Sequence, residues 1–151
     1  MTYKPGVHIY LAAPFFNDIQ RSLCDFIEGF ETDDQPIYSP RKDGGVLRPD
    51  STNSERLEVF TGNTTAMSSA RWVLAVIDDF DTGVLWEMGY AHARVIPTLG
   101  YSDVEDRGLN VMLAGSCDLG FINGRANLFD LLDSVDVWEA FPRNTWRGEI
   151  Q

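Results

Sequence analysis

The sequence predicts an α/β domain, a sheet of about five parallel strands held between two layers of helices. Three observations carry that expectation. Short apolar runs rich in β-branched and aromatic residues, of which Trp72–Ile77 is the plainest, alternate with longer segments of helical period. The best of those runs is apolar at every position, the pattern of a strand covered on both faces rather than one. The 151 residues contain no internal repeat and no low-complexity tract, so the alternation is expected to build one domain, 1–151, with crossovers between parallel neighbours.

Taken in order, the first strand is expected over Val7–Ala12, ended by the small residues and proline of Ala13-Pro14-Phe15-Phe16. Asn17 or Asp18 then caps a helix with Ile19, Leu23, Ile27 and Phe30 on one face. A polar segment, Glu31–Gln35, leads to a short strand at Pro36–Ser39, and Pro40–Gly45 has loop composition. Arg41–Asn53 is poor in core candidates and is expected to be an ordered surface loop with a function, as long loops in compact domains often are. Ser54–Ser69 reads as a helix with Leu57, Val59, Phe60 and Met67 apolar, delivering the chain into the strand at Trp72. After Asp78, Asp79, Asp81 and Gly83 the period turns helical again, with Val84, Leu85, Met88, Ala91 and Val95 on one face and an end near Arg94. Val95–Tyr101 is the next strand, interrupted by Pro97. Then come a charged loop at Asp103–Arg107, a helical turn at Asn110–Leu113, a strand at Leu119–Ile122 and a final helix at Asn127–Val135. The tail 138–151 is aromatic-rich without a period. This order of elements is that of a flavodoxin-like or Rossmann-like three-layer sandwich.

Composition narrows the function. A net charge of −11 opposes binding to polyanions and offers no basic stripe to nucleic acid or anionic lipid, so partners are expected to be small or neutral. Cys24 and Cys117 are too few for a disulfide framework or a zinc cluster, and His8 and His92 are too isolated for a histidine-based metal site or triad. Neither a metal nor a cofactor is expected. The N-terminus lacks the plan of a signal peptide and no apolar run is long enough to span a bilayer, which points to the cytoplasm.

Chemistry is concentrated after the strand at Trp72–Ile77, because ligands of open α/β sheets bind beyond the carboxyl ends of the strands. Asp78, Asp79, Asp81 and Glu87 fall there. For the aspartates, capping of the helix by Asp81 or Thr82 and plain solvation of Asp78 and Asp79 stand as the simple alternative to a functional role. Glu87 differs. It lies in the second turn of the helix among Trp86, Met88 and Tyr90, and since helical side chains lean toward the N-terminus its carboxylate reaches back to the loop mouth. A partly desolvated carboxylate at such a place is a candidate reagent.

The run Asp81, Gly83 and Glu87, followed by Met88-Gly89-Tyr90-Ala91, resembles the nucleoside 2-deoxyribosyltransferase family, as do two further segments, Ile9–Ala13 with Phe15 and Phe16, and Leu109–Leu113. The resemblance spans roughly residues 7–115. It implies that Glu87 is the nucleophile and that Asp81 holds the sugar 5'-hydroxyl, with Gly83 in the turn between them. It places Tyr10 beside the nucleophile and Phe15 and Phe16 as walls for the base. Asn110, with Met112 beside it, would complete the site of a neighbouring subunit, which implies a homo-oligomer based on a dimer, with tetramer and hexamer as alternatives. Deoxynucleosides and free nucleobases are the implied partners. One departure is Asn63, which stands where some members carry a catalytic aspartate; an amide orients a sugar or base but is no general acid.

The chemistry follows from the residues as well. Breaking an N-glycosidic bond builds positive charge at C1', which an anion under the sugar stabilises, and a carboxylate attacking C1' splits the displacement into two steps with net retention. A nucleoside 5'-monophosphate N-glycosidase on the same scaffold is the near alternative, disfavoured because Asp81 would repel a phosphate. A Mg²⁺-binding, receiver-like domain using the paired aspartates and a non-catalytic nucleotide-binding module are the others. Purine or pyrimidine preference stays open, with Arg41, Lys42 and Asp43 as candidates to approach the base edge.

Overall fold

The computed structural model describes residues 6–105, 108–134 and 137–142. Its elements are β1 (Ile9–Ala12), α1 (Asp18–Glu28), β2 (Ile37–Tyr38), α2 (Pro40–Asp43), α3 (Asn53–Ser68), β3 (Trp72–Val76), α4 (Thr82–Ala93), β4 (Thr98–Ser102), α5 (Val111–Ser116), β5 (Gly120–Asn123), α6 (Arg125–Leu132) and α7 (Val137–Ala140). The five strands are parallel in the order β2-β1-β3-β4-β5, the doubly wound arrangement of flavodoxin-like folds.

Alternation along the strands divides the core in two. Ile9 and Leu11 of β1 and Trp72, Leu74 and Val76 of β3 face α1 and α6, where Leu23, Ile27, Leu128 and Leu131 meet them. Tyr10 and Ala12 of β1 and Val73 and Ala75 of β3 face the other way, toward Met67 of α3 and Val84, Met88 and Ala91 of α4. Because successive side chains of a strand point to opposite faces, Tyr10 is aimed at the α3 and α4 layer and buried completely.

Local chemistry sets the helix starts. The Asn17 side chain accepts from the Gln20 amide at 2.9 Å and opens α1. Thr52 and Glu55 form a reciprocal capping box at α3, and the Asn110 side chain caps α5 by accepting from the Met112 amide at 2.9 Å.

Several expectations are corrected. Pro40–Asp43 is a turn of helix, not loop, since Pro40 occupies the first turn, where its missing N–H costs nothing, and Asp43 accepts from the Ser39 amide at 2.9 Å. Ile19 is 79% exposed, and Cys24 fills the face assigned to it. Val95 lies past the end of α4 with φ 59° and is exposed, so β4 begins only at Thr98, after Pro97. Leu57 and Phe60 of α3 are exposed too. The helix expected at Asn127–Val135 starts earlier, at Arg125, and ends at Leu132, and it is not the last, since α7 follows. Of the predicted charged loop and tail, 106–107 and 143–151 lie outside the described residues, while Trp138 and Phe141 meet edge to face with ring centroids 5.4 Å apart. Among the described residues no helix is long and apolar enough to cross a membrane.

Candidate active site

A cleft of about 390 Å³ opens at the carboxyl ends of the strands, between the loop after β1, the segment around α2, and the helices α3 and α4. It gathers Phe15, Phe16, Asn63, Asp81, Gly83 and Glu87, residues far apart in sequence. β1 and β3 are neighbours, yet the helices that follow them lie on opposite faces of the sheet, so their loops part and leave room for a ligand.

Glu87 stands at the centre. Val84, Met88 and Ala91 bury one face of α4, and Glu87 sits a turn above Val84, half-buried at the floor of the cleft. Tyr10 lies behind it and donates its hydroxyl to Glu87 Oε1 at 2.6 Å. The Glu87 carboxyl is pushed up to about 7, first by burial; the Tyr10 hydrogen bond works against this and the nearby Asp81 charge adds to it. Burial and the charge of Glu87 hold the Tyr10 hydroxyl far above the ordinary phenol range, so Tyr10 remains a donor. The carboxylate is thus held through Oε1 by a group that keeps its own proton.

Asp81 has a structural duty along with its place on the cleft. Its Oδ1 accepts from the Gly83 and Val84 amides at 2.9 and 3.1 Å and so caps α4. Asn63, half-buried on α3, accepts the Tyr38 hydroxyl on Oδ1 at 3.0 Å. Gly44 closes against it, because a methyl group there would strike Asn63 Oδ1 and the Pro40 carbonyl. Phe15 and Phe16 stack with centroids 5.1 Å apart; Phe15 packs on the core and Phe16 is exposed at the rim.

Some predicted residues are not brought into this cleft. Asn110 and Met112 lie exposed at the start of α5 and do not line it. The paired aspartates are structural ties: Asp78 accepts from Ser102 Oγ at 2.5 Å and from the Asp103 amide at 3.0 Å, joining β3 to the loop after β4. Asp79 accepts from Gln20 Nε2 at 2.7 Å. Among the described residues no group of three or more histidine, cysteine or acidic side chains is placed to hold a metal ion.

Of the three candidates for the base edge, Arg41 alone lines the cleft. Its guanidinium is anchored on Glu28 at 2.7 and 2.8 Å and on Asp25, which hold its proton more firmly than usual. Lys42 turns instead to Glu31. Tyr38, Val46, Leu47 and Val59 were not assigned to the site from the sequence. Val46 and Leu47 belong to the long loop expected to lie over something, and here it borders the cleft. Tyr38 would have been found only from its register with Tyr10.

Comparison with known proteins gives a family and a fold. The family model described as nucleoside 2-deoxyribosyltransferase matches residues 9–119. Among solved structures, the 2-deoxyribosyltransferase from the psychrotolerant bacterium Bacillus psychrosaccharolyticus superposes with a TM-score of 0.74 at 21% identity, covering 93% of this chain and 99% of that one. A conserved protein from Enterococcus faecalis V583 gives a TM-score of 0.65 at 19% identity, covering 84% of this chain and 97% of that one. At these identities the likeness establishes the fold. No curated protein sequence matches the chain.

Proposed function

The chain belongs to the nucleoside 2-deoxyribosyltransferase family, and from that premise we propose that it exchanges nucleobases on 2'-deoxynucleosides by double displacement through Glu87, without a cofactor, as one domain. The observation that carries this reading is the half-buried Glu87 carboxylate on the cleft floor, oriented by the Tyr10 hydroxyl at 2.6 Å. Glu87 attacks C1' as the first base leaves, forming a glycosyl ester, and the second base displaces the carboxylate with net retention. Asp81 receives the 5'-hydroxyl, beside the turn at Gly83. Phe15 and Phe16 offer ring faces to the base. Water competing for the ester would give hydrolysis, but Asp81 on the cleft opposes a 5'-phosphate and favours nucleosides over nucleotides.

Assembly is part of the reading. Leu57 and Phe60 of α3, Trp86 of α4, and Val111 and Met112 of α5 are all exposed. Phe60 meets Trp86 with centroids 5.7 Å apart, and Trp86 stacks on Tyr90, so the apolar ridge is continuous from α3 to α4. A second copy would cover that ridge, and in this reading Asn110, exposed beside Val111 and Met112, serves the neighbouring cleft, making the dimer the smallest active unit. The two cysteines, Cys24 and Cys117, are buried and unbonded, which suits a reducing cytoplasm.

The direct test is mass spectrometry after brief exposure to a deoxynucleoside. A deoxyribosyl adduct mapped to Glu87 is expected; an adduct on another residue, or turnover that survives removal of the Glu87 carboxylate, would refute the assignment.

A further inference from the structure

Tyr10 and Tyr38 are register partners on neighbouring parallel strands, so their rings leave the sheet on the same face, 5.5 Å apart and 12° from coplanar. Each phenol ends on a different polar side chain of the cleft, Tyr10 on Glu87 Oε1 and Tyr38 on Asn63 Oδ1. Glu87 comes from α4 and Asn63 from α3, so the stacked rings tie together the placement of two groups that reach the cleft on separate helices. We propose that Tyr38 is a positioning residue: it turns the Asn63 amide so that Nδ2–H donates to the departing nucleobase, which leaves as a hydrogen-bonded anion with no proton transferred from the protein. This rests on the glycosyl-transfer reading of the cleft.

An asparagine has one acceptor and two donors at its amide. Oδ1 is occupied by the Tyr38 hydroxyl and backed by Gly44, where any side chain would collide with it. The atom of Asn63 left to face a ligand is therefore Nδ2. The titratable side chains lining the cleft are Arg41, Asp81 and Glu87. Arg41 is held by Glu28 and Asp25, Asp81 caps α4, and Glu87 is the attacking group, so among the described residues the cleft holds no acid free to protonate the base. As the bond from Glu87 Oε to C1' forms, the C1'–N bond breaks and its electron pair stays on the base nitrogen, where the Asn63 N–H stabilises it. The free base takes its proton from water after release, and the incoming base enters as its conjugate anion, so charge and protons balance over the exchange. Turnover is consequently governed by how well the glycosidic nitrogen carries negative charge, and the substrate class is deoxynucleosides of bases with an acidic N–H.

The test uses single-turnover cleavage of 2'-deoxyuridines substituted at C5, which vary N1–H acidity with little change in shape, on the full-length wild type, Tyr38→Phe, Asn63→Ala and the double variant. Phenylalanine keeps the stack on Tyr10 and loses only the hydroxyl. The saturating wild-type rate is expected to rise steeply with base acidity. Tyr38→Phe should lower it about tenfold with half-saturation changed less than about twofold, and should have no further effect in the Asn63→Ala background. Effects that multiply in the double variant, or rates indifferent to base acidity, overturn the proposal while leaving the transferase reading in place. Where pyrimidines are not accepted, ring-substituted purine 2'-deoxynucleosides take their place; failure of the wild type to cleave either series removes that reading, and this inference with it.

Discussion

Replacing Glu87 by glutamine keeps the shape of the side chain and the hydrogen bond from Tyr10 but removes a charge that the fold disfavours. The carboxyl rises from an ordinary 4.5 to about 7 on folding. Each tenfold gain in proton affinity corresponds to ~1.4 kcal/mol, so the ionised carboxylate costs the folded state about 3 kcal/mol, or about 2 once water entering the cleft is discounted. The sign follows from linkage. Below pH 4.5 the group is protonated in both folded and unfolded chains and contributes nothing; above about 7 it is charged in both and the folded chain bears the whole cost. Wild-type stability should therefore fall relative to Glu87→Gln as pH rises through that window, the variant gaining about 2–3 kcal/mol, or roughly 5–10 °C in Tm, between pH 4.5 and 8. Urea unfolding of both proteins across this range measures the gap with all other titrations shared. A gap independent of pH, or one of opposite sign, would refute the claim that Glu87 is held against its own ionisation. Base exchange should meanwhile fall by roughly a thousandfold or more, since glutamine cannot attack C1', and the wild-type rate should rise with pH through about 7 as the nucleophile sheds its proton. A variant that is more stable and inactive separates a reagent from a structural acid.

Asp81→Ser keeps a side-chain cap on α4 and removes the anion opposite the sugar, so deoxynucleoside turnover should drop and deoxynucleotide cleavage improve, while the pH limb assigned to Glu87 moves down for want of its neighbouring charge; equal losses on both substrates would contradict the role given to Asp81. Trp86→Arg places a charge in the middle of the exposed ridge of α3 and α4 and should shift the mass measured by light scattering toward the monomer, with exchange lost in parallel. A monomer with full activity would show that no neighbour is required.

Much of this protein was legible in its residues because the governing signals are local. An apolar run of strand length, an aspartate before a glycine turn, and a glutamate in the next helical turn are enough to put Glu87 at the mouth of a doubly wound sheet, and capping chemistry at Asn17 and Asp81 marks two helix starts. Period alone identifies a face but not what covers it. Ile19, Leu57 and Phe60 sit at plausible core positions and are exposed, while Asp78 and Asp79, which read as a possible cation pair, are spent on the loop after β4 and on Gln20. Whether an acid is a ligand or a tie depends on atoms more than twenty residues away, and a single sequence is silent about those.

Sequence by itself determined the alternation of strands and helices, the location of the Glu87 carboxylate and the absence of an acid at Asn63, because each depends on neighbours within a turn or two. Only the tertiary structure decided that Tyr38 holds Asn63, that Gly44 must lack a side chain, that Arg41 alone of its segment reaches the cleft, and that Asn110 lies outside the cleft of its own chain. Strand register, helix crossing and burial set those relations, and they arise from packing between segments whose separation along the chain carries no trace of their separation in space.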